Sequence, residues 1–250
     1  MKRRGLGLLT SVVAAAACVP LAHAADLPVA PIAPAPYYRP ALYDWTGIYL
    51  GGHVGGAALR DTYNQVGAPV TVLTGPLDVN PGGVVGGGQV GANYEFAPWV
   101  VGIEGSWTST GFSGTTGTFT GGFTENETSS PQWLAAVTGR VGYAADTLLF
   151  YAKGGGAWMK VDYSQGLLVA GTSLQTTQTI TDTRSGFTAG VGVEYGLTEN
   201  FSAKLEYNFY DFGTQTYNGF ALTPVSIKSD MHVVTFGLNY RFTWAGGRPY

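Results

Sequence analysis

Eight charged side chains in this 250-residue chain fall at alternating positions of otherwise apolar or glycine-rich segments. Four are acidic and four are basic: Glu95, Glu104, Arg140, Lys153, Glu194, Lys204, Glu206 and Arg241. Two carboxylates at the right separation can act as acid and base in glycoside hydrolysis. Matched carboxylates and cations can instead neutralise one another as ion pairs. The equal numbers of the two signs favour a closed ion-pair network, with a narrow polar path as the alternative.

Histidine and serine residues are the remaining candidates for catalysis. His53 lies within an apolar segment, and His232 follows Ser229 and Asp230, residue types that a lipid hydrolase could use at the rim of a barrel. No catalytic motif surrounds them, so the chain is predicted not to be an enzyme. Glycine runs such as 154–156 lack the Lys-Ser/Thr pair of a phosphate-binding loop. No catalytic residue, cofactor site or metal site is predicted.

The segment Met231–Phe242 shows how the chain positions its charges. One face would carry His232, Val234, Phe236, Leu238, Tyr240 and Phe242. The other would carry Val233, Thr235, Gly237, Asn239 and Arg241. This period of two indicates a β-strand. In a membrane barrel the apolar face meets lipid and the polar face lines the lumen, and a lipid-facing charge at mid-membrane costs roughly 2–4 kcal/mol.

Seven earlier segments have the same alternation, so the chain is predicted to be all-β. The eight predicted strands are about 45–59, 84–96, 99–108, 132–143, 147–161, 185–197, 201–212 and 231–242. Three short turns at 97–98, 144–146 and 198–200 separate four long loops at 60–83, 109–131, 162–184 and 213–230. This arrangement is typical of an eight-stranded antiparallel transmembrane up-and-down β-barrel with short periplasmic turns and four long outer loops.

The composition agrees with a membrane barrel. Charged residues make up 12% of the chain, against about 25% in an ordinary soluble domain. Aromatic residues near strand ends suit the two interfacial girdles of a barrel. They are Trp45, Trp99, Trp107, Trp133, Tyr143, Trp158, Phe201 and Phe242. The net charge of −3 and the absence of a basic patch predict no nucleic-acid partner.

The ends of the chain predict export and processing. A basic start at Lys2–Arg4, an apolar stretch to Leu21 and the small-residue pattern at 22–24 indicate a cleaved signal peptide over 1–24. Five prolines make residues 25–44 a predicted Pro-rich periplasmic linker. The barrel is predicted over 45–242, with a C-terminal extension at 243–250. The predicted location is the outer membrane of the cell.

Several short motifs resemble a known family when they are taken in order along the chain. They are Trp45–Gly52, Val141–Tyr143, Tyr151–Gly155, Lys204–Tyr207 and Gly237–Phe242. Together they resemble the opacity-type, OmpA-like small outer-membrane β-barrels, which are often labelled the porin family or outer-membrane immunogenic proteins. The resemblance covers about residues 45–242.

The resemblance implies an eight-stranded surface antigen of Gram-negative bacteria. It also implies that Gly237, Tyr240 and Phe242 belong to an assembly signal that the barrel-assembly machinery reads. Residues 243–250 depart from this pattern, because family members commonly end at the equivalent of Phe242.

The predicted function is that of a structural surface protein whose lumen is plugged by the charged network. Its loops are expected to be exposed for contacts with a host or cell-surface ligand. Outer-membrane lipid and lipopolysaccharide are the other expected partners. A narrow porin-like channel for small solutes is the alternative, followed by a lipid-modifying enzyme.

Overall fold

The structure is a computed structural model that describes residues 43–65, 77–120, 123–169, 175–217 and 224–242. These residues contain ten strands and no helix that could cross a membrane. The strands are β1 (Gly47–Gln65), β2 (Leu77–Val79), β3 (Gly82–Phe96), β4 (Trp99–Thr110), β5 (Gly114–Thr120), β6 (Phe123–Ala145), β7 (Leu148–Val169), β8 (Gln175–Gly196), β9 (Phe201–Tyr217) and β10 (Val225–Phe242). The predicted signal peptide, the predicted linker up to residue 42 and the extension at 243–250 lie outside the described residues.

Eight of the strands close into a ring of antiparallel pairs. The order is β1-β3-β4-β6-β7-β8-β9-β10, and β10 pairs back onto β1 from Ile48↔Phe242 to Gln65↔Val225. The short turns after β3, β6 and β8 are where the sequence predicted them. The all-β class and the eight-stranded barrel are therefore confirmed, and β2 and β5 are short additions that pair only with β1 and β6.

The last strand shows how the wall is organised. Along β10 odd-numbered residues are buried and even-numbered residues are turned outward over the whole strand. The buried residues change from apolar to mostly polar: Val225, Ile227, Ser229, Met231, Val233, then Thr235, Gly237, Asn239, Arg241. The outward residues change the opposite way: Ser226, Lys228, Asp230, His232, then Val234, Phe236, Leu238, Tyr240, Phe242. The parity stays constant while the polarity of both faces reverses near Val234.

Other strands reverse at the same level of the barrel. On β1 the outward face changes from Ile48, Leu50 and Val54 to Arg60 and Thr62. The inward face of β7 changes from Lys153 to Met159 and Val161. Below the reversal the wall has apolar residues outside, as lipid requires. Above it the wall has the arrangement of a water-soluble β-protein, with its apolar face enclosed.

The outer part of the wall consists of two sheets. Pairing between β8 and β9 stops at Phe187↔Asp211, and pairing between β3 and β4 stops at Val85↔Thr110. Beyond these points β2, β1, β10 and β9 form one four-stranded sheet, and β5, β6, β7 and β8 form the other. Tyr63 of β1 meets Tyr163 of β7 edge to face, so the two sheets pack against each other.

An apolar core fills the space between these two sheets. The fully buried members with the largest side chains include Leu59, Leu134, Met159, Ile227 and Met231. Burying a side chain of this kind stabilises a fold by about 1.5–3 kcal/mol. The outer half therefore has a hydrophobic core of its own, separate from the polar lumen below it.

The predicted bounds of the four long loops are wrong. Most of 109–131 lies in β4, β5 and β6, and most of 162–184 lies in β7 and β8. The segments 60–83 and 213–230 also contain strand at both ends, and β2 lies within the first. On β8 the extension carries mostly polar residues on both faces, so little alternation of polarity marked it. On β10 the alternation was present, because buried Val225 and Ile227 alternate with Ser226 and Lys228, but its sense is the reverse of that at the membrane level. The many threonines were a further signal, because Thr favours strands.

One predicted girdle residue is placed differently. Trp45 is 2% exposed and packs with Tyr43, Val100, Leu149 and Tyr151 inside the barrel. The chain turns at Gly47, whose φ of 141° suits glycine, and so directs the preceding residues into the periplasmic mouth. Trp133 is half-buried. The other six aromatic residues are exposed on the outside of the wall.

The paired outer strands should resist proteolysis from outside the cell. Basic residues in the outer half are Arg60, Lys160, Arg184 and Lys228, all within strands. Trypsin added to intact cells should leave the protein uncut, because cleavage requires local unfolding of paired strands. The protein unfolded in urea is the control, and it should be cut at these sites. Rapid cleavage after Arg184 or Lys228 on intact cells would contradict the fold described here.

Candidate functional site

Four of the predicted lumen charges form one compact cluster at the level of the lipid-facing band. Lys153 Nζ lies 2.9 Å from Glu104 Oε1 and also contacts Glu206. Lys204 Nζ lies 3.1 Å from Glu104 Oε2 and 3.1 Å from Glu206 Oε2. Each ammonium group therefore bridges both carboxylates, and all four side chains are at most 4% exposed.

Neutral side chains complete the hydrogen bonding of the two carboxylates. Tyr49 donates to Glu104 over 2.8 Å, and Tyr151 donates to Glu206 over 2.8 Å. Asn208 donates to Glu206 over 2.7 Å. Glycines make room for both tyrosine rings, because a Cβ at Gly91 or Gly192 would overlap the ring of Tyr49 or Tyr151.

A second ion pair lies beside this cluster. Arg140 Nη1 is 3.3 Å from Glu194 Oε2, and Arg140 Nε donates to Asn93 over 2.7 Å. Ser202 and Asn239 donate to the other oxygen of Glu194 over 2.5 and 2.8 Å. Since both charges are almost fully buried, these neutral donors offset part of the cost of removing the carboxylate from water.

Two tyrosine rings connect the ion pair to the cluster. The Arg140 guanidinium carbon lies 4.9 Å from the ring centroid of Tyr49 and 5.0 Å from that of Tyr151. A desolvated cation–π contact of this kind is worth about 2 kcal/mol. Because the same tyrosines donate to Glu104 and Glu206, six of the eight predicted charges belong to one layer across the lumen.

The structure does not bring Glu95 and Arg241 into that layer. Glu95 accepts the backbone N–H of Trp45 over 2.8 Å at the periplasmic end of the barrel. Arg241 lies over the Tyr43 ring at 4.3 Å and donates to the carbonyl of Glu199 over 2.5 Å. These two residues contact the segment before β1, which enters the periplasmic mouth. They lie outside the central layer.

A polar cluster in the outer half was not predicted. Asp61 accepts hydrogen bonds from Ser129 and Ser229, and so ties β1 to β6 and β10. Arg184 donates to Ser229 over 2.8 Å and to the carbonyl oxygens of Phe212, Gly213 and Ile227. Burial raises the pKa of Asp61, while the two hydroxyl donors and Arg184 act in the opposite direction. Asp61 and Arg184 escaped prediction because both were assigned to loops.

The residues considered for a hydrolytic site do not come together. Ser229 is fully buried, whereas Asp230 and His232 point outward from the same strand. His232 Nδ1 lies 2.7 Å from the Tyr207 hydroxyl. Within the described ranges, no group of three or more His, Cys, Asp and Glu residues is placed to hold a metal ion. The central layer thus holds its charges in fixed pairs.

Comparison with protein families gives a match over almost the whole chain. The family model described as the outer membrane protein beta-barrel domain matches residues 11–242. The 31 kDa outer-membrane immunogenic protein of Brucella melitensis is 31% identical over 206 residues, which cover 80% of this chain and 85% of that protein. The 22 kDa outer membrane protein of Rhizobium leguminosarum is 32% identical over 176 residues, covering 70% of this chain and 67% of that protein.

A solved structure with a similar fold is that of the outer membrane protease OmpT from Escherichia coli. It is 9% identical in sequence, with a TM-score of 0.45. The match covers 78% of this chain and 97% of that one.

The Arg140–Glu194 pair should be strongly coupled. Arg140→Met should lower the free energy of unfolding by about 3–5 kcal/mol, because it leaves the Glu194 carboxylate buried without its cation. Glu194→Gln should also destabilise the barrel, and the double variant should lose less than the sum of the single losses by roughly 0.5–3 kcal/mol. Urea unfolding of the barrel in lipid vesicles measures these values.

Lys228→Met is the matched control for this cycle, because Lys228 is exposed on the outer wall. That change should alter stability by no more than about 0.5 kcal/mol. Strict additivity of the Arg140 and Glu194 changes would contradict the coupling.

Proposed function

The chain belongs to the outer membrane protein β-barrel family, and on that basis we propose that it is a structural surface protein with a sealed lumen. It is an outer-membrane protein, and its relatives include proteins named as outer-membrane immunogenic proteins. The lumen stays closed, and the rigid outer half presents a surface to the cell's surroundings.

The observation that carries the proposal is the stacking of two different layers inside one barrel. The charged layer of six residues lies at the level of the lipid-facing band. The apolar core that includes Leu59, Met159 and Ile227 lies above it. An ion crossing the lumen would have to displace the paired charges and then enter an apolar layer.

The two layers oppose conduction for different physical reasons. An ion in the charged layer must compete with hydrogen-bonded pairs that already satisfy each carboxylate. An ion in the apolar layer would lose its water without gaining partners, which costs several kcal/mol or more. An eight-stranded barrel is only about wide enough for its own side chains, so the two layers leave little space for water.

The proposal does not include catalysis. Ser229 is turned into the barrel while His232 is turned out, so the two residue types considered for hydrolysis are separated by the wall. The carboxylates of Glu104, Glu194 and Glu206 form hydrogen bonds or ion pairs with lysine, arginine and tyrosine side chains. These contacts support a structural role for the carboxylates.

Assembly and lipid contacts form part of the same proposal. Tyr240 and Phe242 are exposed at the lipid-facing end of β10, and Tyr240 packs edge to face with Phe201 and with Phe242. The exposure of these two side chains supports recognition of the strand by the barrel-assembly machinery. Gly237, the third residue of the assembly signal, lies in the same strand. Arg60 and Lys228 lie on the outward face just above the apolar band. That position suits contact with lipopolysaccharide at the membrane surface.

The lumen should not conduct ions. The refolded protein in a planar bilayer should show no single-channel steps, because both layers would have to open together. Glu104→Gln and Arg140→Gln should stay equally silent, since the apolar layer above remains intact. Insertion is verified by recovering folded protein from the same bilayer preparation, and a general porin added afterwards provides the positive control.

Reproducible steps of the unaltered protein that change with Glu104→Gln or Arg140→Gln would place ions in the lumen. The narrow porin-like channel would then replace the sealed barrel as the function of this protein.

A further inference from the structure

The lipid-facing wall has an open groove over β6, β7, β8 and β9. The groove has a volume of about 650 Å³, and pockets for small ligands in proteins usually have about 300–1,000 Å³. Its lining includes Val141, Phe150, Ala152, Val191, Leu205 and Tyr207. These six side chains point out of the barrel, and each is exposed. The groove thus opens toward the membrane and not toward the lumen.

A small side chain forms the floor of the groove. Ala152 pairs with Val141 on β6 and with Val191 on β8, so no large side chain covers the wall at this point. Phe150 precedes Ala152 on the same face of β7 and stands higher above the wall. The change from a phenyl ring to a methyl group along one strand produces the depression.

Aromatic rings form two sides of the groove, and their neighbours fix both sides. On one side the rings of Trp99 and Tyr143 pack edge to face, with centroids 5.8 Å apart. On the other side the hydroxyl of Tyr207 lies 2.7 Å from His232 Nδ1, which holds that ring in place. The groove therefore has its shape before a ligand enters it.

The groove lies in the half of the lipid-facing band that is nearest to the periplasm. Tyr143 and Phe150 are opposite one another close to the short turn between β6 and β7. Val193 and Leu205 are opposite one another close to the turn between β8 and β9. Short turns face the periplasm in barrels of this kind. The molecules around this part of the wall are therefore the phospholipids of the inner leaflet.

We propose that the groove binds one acyl chain of a phospholipid from the inner leaflet of the outer membrane. Lipid tails surround the whole wall, so hydrophobicity alone gives no preference for one position. A chain in the groove gains dispersion contacts with the floor and with both aromatic sides, which a chain on the convex wall does not gain. A second barrel is itself convex, so it would meet the sides of the groove without filling it.

The turns next to the groove favour a phospholipid with a positively charged amine. Asp146 in the turn between β6 and β7 and Glu199 in the turn between β8 and β9 are exposed. The three short turns contain no lysine or arginine, and Arg241 at the end of β10 is buried. The two carboxylates attract the ammonium group of phosphatidylethanolamine and repel the net negative headgroup of phosphatidylglycerol. Phosphatidylethanolamine is therefore the expected ligand.

Native mass spectrometry of the mature protein tests the site. The protein is refolded into vesicles that contain phosphatidylethanolamine, phosphatidylglycerol and lipopolysaccharide, and it is then released into detergent. One phosphatidylethanolamine molecule should stay bound to each barrel, with an occupancy about threefold higher than that of phosphatidylglycerol. Retention of lipopolysaccharide instead, or of no lipid, would overturn the proposal. The groove lies outside the wall, so this result does not depend on whether the lumen conducts.

Ala152→Phe fills the floor of the groove and should reduce the retained phospholipid about tenfold or more. Ala92→Phe is the matched control, because Ala92 also faces lipid between two branched residues, Ile48 and Ile103, and does not line the groove. The control variant should retain phospholipid like the unaltered protein. Equal urea unfolding midpoints in vesicles verify that both variants are folded. Equal retention of phospholipid by the two variants would contradict the site.

Asp146→Asn with Glu199→Gln tests the choice of headgroup. This double variant should still retain one phospholipid, but with equal occupancy of phosphatidylethanolamine and phosphatidylglycerol. An unchanged preference would show that the two carboxylates do not select the headgroup and would overturn that part of the proposal. The same spectra report the mass of the protein. A dimer that Ala152→Phe dissociates would assign the groove to a second copy of the chain and overturn the lipid site.

Discussion

The medium outside the wall determines which side chains the wall encloses. Along β10 the same parity faces inward from Val225 to Arg241, yet the enclosed residues change from apolar to polar where the outside changes from water to lipid. Lipid demands apolar contacts outside, which leaves polar residues for the lumen. Water imposes the opposite demand. The charged layer, the apolar core and the exposed outer threonines all follow from this single reversal.

The reversal explains why the charged layer is tolerated. Six buried charges would be costly in isolation, because each ion loses its water. Here each carboxylate has a cation and neutral donors, and Arg140 lies against two tyrosine rings. The apolar core of the outer half lies above this layer. Trp45 and Tyr43 occupy the periplasmic mouth, where Arg241 lies over the Tyr43 ring.

The sequence predicted the membrane-level part of this structure well. Alternation identified all eight ring strands and the inward face that carries Glu104, Lys153 and Glu206, because lipid makes that pattern strict. It missed the strand extensions. On β8 these carry mostly polar residues on both faces, and on β10 their alternation has the opposite sense to that at the membrane level. Asp61 and Arg184 were missed because both were assigned to loops. The partners of each charge also could not be predicted, because strand pairing and ring closure decide which inward residues meet.

Site-directed spin labelling along β10 tests the reversal most directly. Cys18 is the only cysteine of the chain and lies in the predicted signal peptide, so single cysteines can be introduced elsewhere. Labels at Phe236 and Leu238 should be accessible to oxygen in the bilayer, and labels at Ser226 and Lys228 to a water-soluble nickel complex. Labels at Ile227 and Asn239 should be shielded from both. Equal nickel accessibility at Ser226, Ile227 and Lys228 would show a loop there and contradict the account.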